Sequence, residues 1–239
     1  MLEKTANMAR KDHPFVPRRS ANPSFMRFAA IALTIAGILF VFYPSLRPFS
    51  DEKSLLGAAA FASTEWIVSH TMAILAFIFL TIGMFGLYLS LQDTFVEKLV
   101  LRGLVLIWVG TGLTLPFYGA EVFSLHAIGQ EAIKQQSTDL MNLSNDIRLG
   151  PGFFMILAGL IIAAVGSVLA AIAIWKSRTM AKWSGIPFAF GILMYLPQFT
   201  GTQPIRVAHG LALAVGCFWI AYYLIIFSSY PISRVQNCQ

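Results

Sequence analysis

Residues 152–175 read GFFMILAGLIIAAVGSVLAAIAIW, twenty-four residues without a single charge. A surface helix of a soluble protein keeps one polar face toward water, and this stretch has none. Its length matches a membrane span, because about 20 residues at ~1.5 Å rise cross ~30 Å of hydrocarbon. Within it Gly159, Ala163, Ser167 and Ala171 recur every four residues. Lipid tails are as apolar as leucine, so helices in a bilayer associate through close small-residue contact. The stripe is therefore read as a packing face and not as a binding site.

Five similar stretches surround this one. The pattern predicts an all-α integral membrane protein, a bundle of six transmembrane helices over 25–228. The spans fall at about 25–43, 66–91, 103–126, 152–175, 183–199 and 207–227. The fifth has about 17 residues, the lower limit for a span. Composition agrees: 57% of the 239 residues are hydrophobic and 12% charged, against roughly 25% charged in soluble domains. Mean hydropathy is +0.70.

The distribution of charge sets the expected orientation. Residues 1–24 form a basic, proline-containing tail, and 229–239 form a short C-terminal one. With the N-terminus inside, the inner segments carry 12 Lys and Arg, and the outer segments carry five: Arg47, Lys53, Lys134, Arg148 and Arg206. Lys and Arg gather on the cytoplasmic side of membrane proteins. Both termini are thus expected in the cytoplasm, in a plasma (inner) membrane, with the first span an uncleaved anchor. A five-span chain would put the termini on opposite sides. The net charge of +6 follows from this bias, and no basic stretch interleaves with aromatics, so nucleic acid is excluded as a partner.

Ionisable residues near one end of the spans carry the functional expectation, since such groups are costly at that depth. His70, His126 and His209 lie within about two turns of the extracytoplasmic ends of three different spans. His70 comes four residues after Trp66, about 6 Å inward. His209 shares a face with Ala212 and Gly216, which points it into the bundle. Glu121 and His126 are ~140° apart on an ideal helix, so they converge only if the third span bends after Pro116.

Several chemistries fit such a pocket. Three imidazoles with Glu121 would hold a divalent transition metal, with Glu121 or Glu65 as acid or base. Two imidazoles from facing helices would ligate haem, with Arg206, Arg148 and Tyr118 as anchors. A small ligand, or a proton relay in a transporter, is also open. The competing class is a non-catalytic membrane subunit whose histidines are merely interfacial, bound to a membrane-protein partner or to copies of itself. Hydrolase, P-loop and haem-attachment motifs are absent from the sequence. The two cysteines, Cys217 and Cys238, form no disulfide framework or metal motif.

Overall fold

The computed structural model describes residues 22–229, an all-α chain without strands in that range. Most of both expected tails lies outside these residues. Five helices are long and apolar enough to cross a membrane: α1 Pro23–Leu46, α3 Thr64–Leu91, α4 Glu97–Gln135, α6 Pro151–Ser177 and α8 Gln203–Ser229. Three short helices complete the chain: α2 Leu55–Phe61, α5 Asn142–Leu149 and α7 Ile186–Leu193.

Local chemistry sets the helix ends. Asn22 caps α1 by accepting from the Ser24 amide at 2.9 Å, and Pro23 stands where no N–H is needed. Ser63 caps α3 through the Trp66 amide. Gln136 ends α4 in the left-handed region, at φ 51°.

The six expected spans are not matched one for one. The segment expected to cross at 183–199 is broken: a 3-10 turn at Lys182–Gly185, eight residues of α7, then a 3-10 turn at Pro197–Thr200. Pro197 has no N–H to donate back to Leu193, where α7 stops. This segment still returns the chain along the bundle. Gly185 meets Ala171 late in α6, and Gly191 meets Leu213 of α8. At the other end Gln203 Nε2 donates to the carbonyls of Pro44 and Ser45. The neighbours close a ring in the order α1, α3, α4, α6, α7, α8.

The outside of this ring is apolar, with Phe28, Ile31, Phe154, Ile161, Phe190 and Leu211 each at least half exposed. The interior is filled by alanine, leucine, isoleucine and aromatic residues, with glycines at the helix contacts. An apolar exterior around an apolar interior suits a chain whose solvent is lipid, and the protein is a multi-pass membrane protein.

A close backbone approach joins α4 to α6. A side chain at Gly159 would meet the Gly110 carbonyl at 2.7 Å, and one at Gly166 would meet the Gly103 carbonyl at 2.7 Å. The helices are antiparallel and their glycines pair seven residues apart. The stripe read in the sequence is divided: Gly159, Ala163 and Ser167 are buried, while Ala171 meets Gly185 instead.

The third expected span, 103–126, is much longer than its apolar core. At ~1.5 Å per residue, the 39 residues of α4 extend about 58 Å, well beyond ~30 Å of hydrocarbon. The excess forms a platform at one end of the bundle. A second apolar cluster packs there, with Ala58 and Phe61 of α2, Trp66, Leu125, Ala132 and Met141. Helix α5 follows and lies against α4 and the start of α6. The residues after His126 thus cap one end of the bundle. Pro116 does not break α4, and its ring is exposed on the outer face.

Replacing Gly159 by leucine should force α4 and α6 apart and cost about 1–3 kcal/mol. Ile161→Leu, on the exposed face, should cost little. Unfolding of the two variants in detergent micelles measures the difference, and equal stability would contradict the close approach.

A candidate ligand cavity at the capped end of the bundle

Under the cap lies a cavity of about 470 Å³ whose wall draws on α1, α3, α4, α5, α6 and α8. Its polar wall is a chain of alternating charges. Arg47 Nη2 donates to Glu52 Oε1 at 2.6 Å. Glu52 Oε2 accepts from Arg148 Nη1. Arg148 then grips Glu121 with two parallel bonds, Nε to Oε1 at 2.6 Å and Nη2 to Oε2 at 2.9 Å. Planar two-point pairing of this kind is stronger and more directional than a single contact.

Helix α4 supplies Glu121, and the short α5 returns Arg148 to it. Glu52 comes from the loop before α2, where Asp51 accepts from the amides of Lys53 and Ser54. Ser54 in turn caps α2. These bonds hold Asp51 below the ordinary carboxylate range. Burial would raise the Glu52 carboxyl, but the Arg148 and Arg47 guanidiniums beside it outweigh burial and hold it below the usual glutamate value. Arg148, paired with Glu121 and Glu52, stays charged at any accessible pH.

His70 joins this chain from α3. Its Nδ1 lies 2.8 Å from the Trp66 carbonyl, which only accepts, so Nδ1 carries a hydrogen. The other ring nitrogen, Nε2, faces Glu121 Oε2 at 3.6 Å. In the neutral ring both atoms are acceptors, so this gap suits a proton or a donor group. The Trp66 indole locks the corner. Its Nε1 donates to the Glu121 carbonyl at 2.7 Å, and its ring packs on His70 and beneath Arg47.

Deeper in the bundle, Tyr118 and Tyr195 are buried, and their hydroxyls lie 2.7 Å apart. Tyr43 packs edge-on against both His70 and Tyr118. Arg206, at the start of α8, donates to the carbonyls of Gly201 and Phe199 at 3.0 and 2.6 Å. It has no carboxylate within ion-pair distance among the described residues.

The residues expected from the sequence divide sharply. His70, Glu121, Tyr118, Arg148 and Arg206 all line the cavity. His126 does not: its Nδ1 donates to the Phe61 carbonyl at 2.9 Å and ties α4 to α2. His209 Nε2 donates to the Gly191 carbonyl at 2.7 Å, and its ring packs on Tyr195. Glu65 is exposed in the first turn of α3, where an acid suits the helix dipole.

The expected sharing of one site by three imidazoles is therefore not met. Each donates to a different main-chain carbonyl, and Glu121 is committed to Arg148. No group of three or more His, Cys, Asp or Glu among the described residues is placed to hold a metal ion. Nor do His70 and His209 face one another as haem ligands would, since His209 is turned to Gly191. Sequence reasoning missed Arg47, Glu52, Tyr43 and Tyr195. A signal for Arg47 was available, because three of the five basic residues assigned to that side line the cavity.

Glu121→Gln leaves Arg148 without its two-point partner and should cost about 2–4 kcal/mol, somewhat under the full value for a buried pair because Arg148 is partly exposed. Adding Arg148→Gln should cost less than the two single losses together, and additive losses in a double-mutant cycle would contradict the pairing. Because folding lowers the Glu52 value, its contribution is present above the ordinary value of 4.5 and fades as pH falls below it. Melting temperatures measured from pH 6 to pH 3 should fall less steeply in Glu52→Gln than in the natural chain. No family model, curated protein or solved structure matches the chain, so its function has to be read from this geometry.

Proposed function

We propose that the chain is a plasma-membrane protein that binds a small ligand in the cavity beneath its cap, on the extracytoplasmic side. In this reading both termini are cytoplasmic and the broken 182–200 segment serves as the sixth crossing. The 12 against five split of basic residues supports that orientation. The observation that carries the ligand reading is the cavity itself. Three arginines, two glutamates and His70 converge on a space of about 470 Å³ instead of closing it. Convergent polar groups in an otherwise apolar wall are the usual form of a ligand site.

The parts have separable tasks. Arg148 fixes the Glu121 carboxylate, and Trp66 fixes the backbone beneath it. The His70 and Glu121 edges then present two acceptors to a donor group of the ligand. Tyr43 and Tyr118 form a polar-tipped aromatic floor, while Phe117, Phe153 and Leu196 supply apolar wall.

Ser50 lines the cavity and Asp93 sits in the turn at the opposite end. In a Cys238→Ser background, Ser50→Cys should react with a membrane-impermeant maleimide on intact cells. Asp93→Cys should react only after the membrane is permeabilised. The reverse pattern, or protection of both, would overturn the orientation and the open site together.

A further inference from the structure

The cavity does not end at its apolar wall. Leu196 also lines a trough of about 370 Å³ between α6 and the α7 segment, bounded by Leu160, Ala164, Val168, Ile192 and Pro197. Val168 and Leu193 in turn line a further hollow of about 400 Å³ that continues toward Trp175. Almost no polar surface faces either hollow. They exist because α7 has only eight residues and is broken before Pro197, so the segment cannot lie flush along α6. From Leu160 to Leu169 the first trough runs about 14 Å along α6. That is close to half of the ~30 Å hydrocarbon thickness, the depth of one leaflet.

Charge at the head of this trough is unbalanced. Arg47 is paired with Glu52, and Arg148 with Glu52 and Glu121. Arg206 is held only by neutral carbonyls, so three cations face two carboxylates. Arg47 and Arg206 both approach the Phe49 ring, at 4.9 and 5.2 Å, which seats two guanidiniums at the mouth. An arginine with free N–H donors beside a partly buried cavity suits a phosphate or carboxylate oxygen.

Resting on the ligand-site reading above, we infer that the occupant is an anionic membrane amphiphile. Its head takes the place beside Arg206, and one acyl chain lies in the α6–α7 trough. The apolar trough excludes a purely water-soluble anion as the fitted ligand, and the surplus cation favours a charged head over a zwitterionic one. Lateral entry from the bilayer follows from the trough's lips, since Ile161, Val165 and Leu193 are about half exposed on the outer face.

The test uses the full chain in a neutral detergent, with native mass spectrometry counting retained lipid. Chain-matched phosphatidylglycerol and phosphatidylcholine are compared, with inorganic phosphate as competitor. One phosphatidylglycerol per chain should be retained, about tenfold more tightly than phosphatidylcholine, equivalent to about 1.4 kcal/mol. Arg206→Gln should remove that preference, leaving the two lipids within about twofold. Val165→Trp, a change on the exposed lip, should reduce retention of both lipids.

Equal retention of the two lipids by the natural chain, or an unchanged preference in Arg206→Gln, would overturn the assignment of an anionic head. Full displacement by millimolar inorganic phosphate would overturn the acyl-chain assignment and make the occupant a soluble anion. Neither result touches the labelling of Ser50→Cys, so failure here is distinguishable from failure of the ligand site itself.

Discussion

The grip of Arg148 on Glu121 is the constraint around which the capped end is built. A carboxylate largely shielded from water is tolerable only if paired and hydrogen-bonded. Glu121 obtains its partner from a helix of eight residues that exists to bring one guanidinium back over α4. The demand propagates outward. Arg148 needs Glu52 for its remaining donors, Glu52 needs Arg47, and both arginines pack on aromatic faces. The result is a polar cluster that is satisfied along one wall and open along another. The long overhang of α4 follows from the same need, since α2 and α5 require something beyond the bilayer to pack on.

Much of the architecture was legible because lipid imposes so few alternatives. The five long helices follow from apolar runs of span length, with ends within a few residues for all but α4. The continuity of α4 into its overhang is harder to read, because AIGQEAIKQ, about two and a half turns, mixes polar and apolar residues and hydropathy registers only the apolar run before it. The 183–199 segment reads as apolar throughout, yet Pro187, Gly191 and Pro197 punctuate it. Hydropathy sees solvent preference and is blind to a missing N–H.

The site was legible in part, for a related reason. Position along a span is readable from sequence, and His70, Glu121, Arg148 and Arg206 line one cavity. Direction is harder. His126 and His209 are instead turned toward the Phe61 and Gly191 carbonyls, which accept from them. No count of spans shows that a neighbouring carbonyl will capture an imidazole. Arg47 and Glu52 fell in a loop, where period carries no signal and only the Asp51 and Ser54 turn fixes position.

One property of the ion pair belongs to the making of the protein and not to its finished form. Glu121 precedes Arg148 by 27 residues. At synthesis rates of 5–20 residues per second, the carboxylate waits roughly one to five seconds for its guanidinium. His70, Trp66, Arg47 and Glu52 have already been made, but Arg148 has not. Until α5 emerges, therefore, the capped end is an incomplete polar cluster within a nascent bundle. Docking of α5 supplies the missing guanidinium before α6, α7 and α8 close the ring.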